Sequence, residues 1–91
     1  MKTVYPEEKG NLVINGCKME WIFRRSKGES AFGVRGSRIF ELKILKDGKV
    51  TLEYGRGYKA EPDKEDEETA LCLSYVIDNY GRNKKKEKNH A

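Results

Sequence analysis

Arginine set among glycines and aromatics is the chemistry this chain offers most plainly. The pattern occurs twice: residues 30–38 read Ser-Ala-Phe-Gly-Val-Arg-Gly-Ser-Arg, and residues 54–58 read Tyr-Gly-Arg-Gly-Tyr. Glycine lets successive backbone N–H groups converge on an anion, and the planar arginine fork matches phosphate or carboxylate. A phenylalanine or tyrosine beside it can stack on a base. Phe32, Arg35, Arg38, Tyr54, Arg56 and Tyr58 are therefore the candidate ligand-binding residues, for a nucleotide-like anionic small molecule. The same residues also suit a structural role. Glycines in small β-rich domains mark bulges and tight corners, and the arginines could pair with acids elsewhere in the fold.

Catalytic chemistry is thinly provided. The one histidine is His90, so no Cys–His or Ser–His pair is expected inside a folded domain. No group of side chains has the spacing of metal ligands. The chain is read as non-enzymatic, with no cofactor and no metal. Cys17 and Cys72 each fall inside an apolar pattern, which predicts two reduced core thiols rather than a disulfide. Trp21 falls in phase with Met19 and Phe23 and is assigned to the core, while Arg24 and Arg25 are expected to form a solvated strand end that resists aggregation.

Two hairpins and a helix must position these groups. Asn15-Gly16 between apolar runs predicts a two-residue type I′ turn, pairing Ile14 with Cys17 and Leu12 with Met19. A second hairpin joins residues 39–46 to residues 49–54. A three-residue loop, Lys46-Asp47-Gly48, would place Ile44 opposite Val50, Leu42 opposite Leu52 and Phe40 opposite Tyr54, with all six on one face. This register brings Arg38 and Arg56 to the same end of the hairpin. Between the hairpins the glycines at 28, 33 and 36 argue for bends, with room for a short strand near residues 31–34. A helix is expected from Pro62-Asp63 to just before Gly81, with Ala70, Leu73, Ile77 and Tyr80 as its apolar stripe, broadened by Leu71 and Val76. The fold class is thus α+β: two antiparallel β-hairpins forming one curled sheet packed by a single C-terminal helix.

The bulk properties bound this reading. With 91 residues, 36% hydrophobic and 37% charged, the chain makes one domain with a thin core, over residues 1–81. Residues 82–91 form a basic tail too polar to order itself. Small domains of this kind gain stability by self-association, so a homo-oligomer is expected. No apolar run is long enough to span a membrane and no apolar signal region opens the chain, which predicts a cytoplasmic protein of a bacterial cell. Charge is segregated, at +6 over residues 1–60, −6 over residues 61–81 and +4 over residues 82–91. An anionic partner would be drawn to the sheet or the tail and repelled by the helix.

The stretch from about residue 19 to residue 80 resembles a family of small proteins encoded in phages and prophages of Gram-positive bacteria. The motifs that carry the likeness are Ser30-Ala31-Phe32-Gly33-Val34, Gly36-Ser37-Arg38-Ile39 and Tyr54-Gly55-Arg56-Gly57-Tyr58. Ser37 interrupts the family's Gly-Arg-Ile pattern, and Tyr58 stands where tryptophan is usual. The resemblance implies a phage accessory protein that acts by stoichiometric binding. The leading expectation is an anti-defence sponge for a nucleotide immune signal. The alternative is a protein–protein inhibitor of a host defence effector, such as a CRISPR complex, working through the acidic residues 61–68. A third reading is non-specific DNA or RNA binding through the basic tail and the basic sheet.

Overall fold

The computed structural model describes residues 5–26 and 33–82. Phe32, the positions around Ala31 and the basic tail beyond Arg82 lie outside the described residues. Five strands form one antiparallel curled sheet in sequence order: β1 (Glu8–Ile14), β2 (Cys17–Arg25), β3 (Ile39–Lys46), β4 (Lys49–Gly55) and β5 (Tyr58–Ala60). One helix, α1 (Glu67–Val76), lies across one face and continues into a wider π-type turn at Ile77–Gly81. The architecture is α+β as expected, but the sheet is five strands rather than two hairpins. Gly55-Arg56-Gly57 turns the chain back so that β5 adds to the edge of β4.

The first hairpin has the predicted register, with Ile14 opposite Cys17 and Leu12 opposite Met19. Asn15 (φ 50°) and Gly16 (φ 79°) are both left-handed, as a type I′ turn requires. The second hairpin differs. Its turn is the two-residue Asp47-Gly48, with Lys46 opposite Lys49 and Leu45 opposite Val50. A bulge at Thr51 then restores the faces, setting Ile44 opposite Leu52 and Leu42 opposite Tyr54. Val50 thereby leaves the apolar face assigned to it, and Phe40 leaves it through a separate bulge against β2, where Arg24 stands opposite Glu41 and Arg25 opposite Ile39. Phe40 meets Tyr5 edge-on at 5.2 Å, and Val50 is 41% exposed.

The bulge has a use. It directs the Thr51 hydroxyl to Thr69 on α1, at 2.7 Å between oxygens. Thr69 donates its own proton to Asp66 Oδ2 (2.7 Å), so Thr51 must be the donor to Thr69. Asp66 is the N-cap of α1, accepting also from the Thr69 backbone N–H at 3.0 Å. The helix therefore starts at Glu67, not at Pro62-Asp63. The earlier residues form a turn closed by the Asp66 N–H on the Asp63 carbonyl, 3.0 Å. The buried stripe moves with the start: it comprises Thr69, Cys72, Leu73 and Val76, while Ala70 and Leu71 are exposed and Ile77 and Tyr80 are half-buried.

The core is the layer between α1 and the sheet, built on Met19, Trp21, Phe23, Ile39, Leu42, Ile44 and Leu52. Trp21, 3% exposed, lies over Gly10 on β1 and meets Tyr75 at 5.6 Å. A Cβ on Gly10 would stand 2.5 Å from the indole. Cys72 is buried and Cys17 half-buried, both as free thiols, and burial pushes the Cys72 thiol up to about 11.

Two consequences can be measured. Gly10→Val should lose about 1–3 kcal/mol in chemical denaturation, because the indole has no room to move. The second concerns Lys46, whose ammonium lies 2.9 Å from Glu68 and 3.1 Å from Asp66. The Glu68 carboxyl is held low by hydrogen bonds from Lys46 and Asn15. Burial opposes ionisation of Asp66, but the Thr69 and Lys46 hydrogen bonds outweigh it and its pKa is lowered. Lys46 is raised by hydrogen bonds to Glu68 and then Asp66. Depressed carboxyls stabilise the fold above their unfolded values, about 4, and lose that contribution as pH falls through the folded ones. A raised lysine stabilises below its unfolded value, about 10.4, and loses that contribution as pH climbs past it. The buried Cys72 thiol adds an earlier alkaline loss, because it ionises from about pH 8.5 in the unfolded chain and not in the folded one. Unfolding midpoints should therefore be flat between about pH 5 and 8 and fall on both sides. Lys46→Met should flatten the acid limb and leave the part of the alkaline limb that Cys72 sets.

Candidate functional site

The sequence-predicted arginines part company in the structure. Arg38 turns inward to the C-terminal end of the helical segment. Its Nη2 donates to the Tyr80 carbonyl (3.3 Å), its backbone N–H donates to the Gly81 carbonyl (2.9 Å), and its carbonyl accepts from the Ser26 N–H (2.9 Å). Arg25 donates to the same Tyr80 carbonyl at 2.9 Å and lies over the Phe23 and Tyr80 rings. Two guanidinium groups thus meet the negative end of the helix dipole. Close packing completes the corner, since a Cβ on Gly33 would stand 1.6 Å from the Ser37 carbonyl oxygen, and one on Gly81 2.9 Å from Ser37 Cβ. No ligand group could replace these contacts without undoing the corner.

Arg24 and Arg25 are not a solvated edge, because β2 is flanked by β1 and β3. Arg25 also binds Glu8 at 2.9 Å. Arg24 binds Glu41 (2.7 Å), Glu7 (3.6 Å) and the Tyr5 carbonyl (3.0 Å). Arg35 is exposed in the 3-10 turn Val34–Gly36, which is tied to the helix end through Ser37 and Arg38. The residue-38 and residue-56 segments do meet at one end of β3 and β4, as the register implied: the Arg56 N–H donates to the Phe40 carbonyl at 3.3 Å. The meeting is of backbones, and the Arg38 guanidinium points toward the helix. Tyr54 and Tyr58 pack edge to face at 5.0 Å, with Tyr58 43% exposed. Both share the helix-side face with Leu42.

The best-defined depression lies elsewhere, on the face of the sheet away from α1. It has a volume of about 280 Å³, and Gly55 belongs to its lining. Register places its groups. Ile22, Lys43 and Glu53 are cross-strand neighbours, Arg24 and Glu41 form the next row, and the bulge in β5 brings Lys59 over Gly55. Among the described residues, Lys43 and Lys59 make no ion pair, whereas Arg24 is neutralised by Glu41. Arg56, the residue after Gly55, is exposed and does not itself line the depression.

Sequence reasoning passed over Lys43 and Lys59. Lys43 sits between Leu42 and Ile44, so strand alternation alone assigns it to the open face. Lys59 had no such signal, because the bulge that turns it is set by the pairing of β5. Among the described residues no helix is long and apolar enough to cross a membrane, and no cluster of three or more His, Cys, Asp or Glu could hold a metal. Arg38→Ala should cost about 1–2 kcal/mol of stability by leaving the Tyr80 carbonyl with the Arg25 donor alone, read by urea denaturation.

No curated protein and no solved structure matches the chain. The family described as Domain of unknown function (DUF7678) matches residues 7–80, from the approach to the first strand to the last turn of the helix, and the chain belongs to that family.

Proposed function

We propose that the protein is a non-catalytic binding module that takes a small anionic ligand of nucleotide type on the open face of its sheet. The observation that carries this reading is the pair of lysines, Lys43 and Lys59, on one depression of about 280 Å³ with no ion pair among the described residues. That volume stands at the low end for small-molecule sites, the scale of a mononucleotide. The lining is balanced, with Arg24, Lys43 and Lys59 against Glu7, Glu41 and Glu53. Such a site suits a ligand with one anionic end and hydroxyl or amine donors at the other, rather than a polyanion. Lysine ammonium groups would meet phosphate, and Glu53 would accept from a sugar hydroxyl or an exocyclic amine.

Arg56 belongs to the same reading. It holds a left-handed backbone (φ 63°), which costs a bulky residue on the order of 1–2 kcal/mol, and backbone strain of this kind concentrates at ligand clamps. The wider role we propose is sequestration of a nucleotide signal by a phage accessory protein, supported by the motif likeness and by the scale of the site.

A second reading, protein–protein inhibition, draws support from Glu61, Asp63, Glu65 and Glu67, all exposed after Asp66 and Glu68 are engaged by Lys46. Reversing those four charges without loss of inhibition would remove it.

Isothermal titration with mononucleotides and cyclic mono- and dinucleotides tests the main proposal. Lys43→Ala and Lys59→Ala should each weaken a bound nucleotide about tenfold or more. Arg56→Gly should lower affinity while holding stability within about 1 kcal/mol of the parent. Unchanged affinity in both lysine variants would overturn the site.

A further inference from the structure

The two edges of the sheet are built differently. β5 is three residues long, bulged at Lys59, and so follows the usual protection of an open edge. β1 is seven residues long and pairs with β2 through an unbroken ladder. Among the described residues it has a neighbour on one side only.

Which backbone groups β1 leaves open follows from the hairpin. In a two-residue hairpin the residues flanking the turn, Ile14 and Cys17, form a hydrogen-bonded pair, and hydrogen-bonded pairs alternate along the ladder. Glu8, Gly10, Leu12 and Ile14 therefore bond to β2. Lys9, Asn11 and Val13 direct their N–H and C=O groups outward, and all three are exposed.

The helix flank above this edge is apolar. Glu68 accepts from Asn15 in the β1–β2 turn, and Tyr75 meets Trp21 where the indole crosses Gly10. Leu71, three residues after Glu68 and four before Tyr75, lies on the same flank. Leu71 is 48% exposed, Tyr75 42% and Val13 68%. Three of the five exposed large hydrophobics of the described chain thus border one edge.

We propose that β1 is a homodimer interface, pairing antiparallel with β1 of a second copy about a twofold axis at Asn11. Keeping both helices on one side of the joined sheet requires odd residues to oppose odd ones. Among such registers, the one centred on Asn11 sets Asn11 opposite its mate and Lys9 opposite the mate's Val13, in both directions. It alone overlaps the whole strand, and it satisfies every outward donor and acceptor of Lys9, Asn11 and Val13 at once. No like charges stand opposite each other. The result is a ten-stranded sheet in which the Leu71 and Tyr75 flanks face one another above Gly10, Leu12 and their mates. An unrelated extended peptide would lack this self-complementarity. The interface is independent of the proposed ligand depression.

The cross-strand pair of Lys9 with Val13 supplies the test. In sedimentation equilibrium the intact chain should be a dimer at micromolar concentration. Val13→Lys opposes lysine to lysine twice and should weaken dimerisation about tenfold relative to Val13→Glu, which opposes glutamate to lysine. Asn11→Pro removes an outward donor without touching the bonds to β2, and should give folded monomer by circular dichroism. A monomeric parent at high micromolar concentration would overturn the proposal. So would a dimer indifferent to the charge at position 13.

Discussion

A sheet covered on one face by a ten-residue helix has little apolar area to hold that helix in place, so its two ends must be fixed by polar groups. At the N-terminus Asp66 caps α1, Lys46 joins Asp66 and Glu68, and Thr51 ties the cap to β4 through Thr69. At the C-terminus Arg25 and Arg38 converge on the Tyr80 carbonyl. Charge of each sign meets the helix end where the dipole favours it. Most of what is irregular in the molecule serves these two anchors: the β4 bulge, the turn before α1, and the tight corner of Gly33, Ser37 and Gly81.

That constraint decides what remains for binding. Arg38, which reads as a ligand group in the sequence, is used where the helix ends, and the helix covers the apolar face. The opposite face keeps a mixed population of side chains: Lys43 and Glu53 beside Ile22, and Arg24 locked to Glu41. On the reading proposed above, a binding surface assembled from what the anchors leave over is near neutral and partly apolar. Its selectivity would then come from placement of single charges rather than from overall potential.

The sequence made legible whatever depends on local periodicity. Asn15-Gly16 and the alternation from Cys17 to Phe23 determine the first hairpin residue for residue, since a slip would put Trp21 in water. The second hairpin resisted, because its register rests on a hydrogen bond between Thr51 and Thr69, 18 residues apart. Without that contact a three-residue loop satisfies the apolar pattern equally well. The helix start was misplaced for a similar reason. Several acidic residues could cap it, and only the sheet shows that Lys46 and Thr69 select Asp66. The candidate site was legible in part: the two Gly–Arg segments do come together through Arg56 and Phe40, but the destination of the Arg38 side chain is set by the helix end, which no local pattern reveals.

The left-handed residues separate structural turns from the other end of the molecule. Four non-glycine residues have positive φ among the described chain: Asn15, Arg35, Asp47 and Arg56. Asn15 and Asp47 lie at the hairpin tips beside the helix N-terminus, where each also hydrogen-bonds, to Glu68 and to the Lys18 N–H. Short polar side chains suit that conformation, so those turns need no further reason. Arg35 and Arg56 lie at the opposite end, one by the helix C-terminus and one by the start of β3. Asparagine or glycine would build either turn with less strain. The left-handed turn itself does not favour arginine at these two positions, and at position 56 a long cationic side chain on such a turn agrees with the anion-binding reading proposed above.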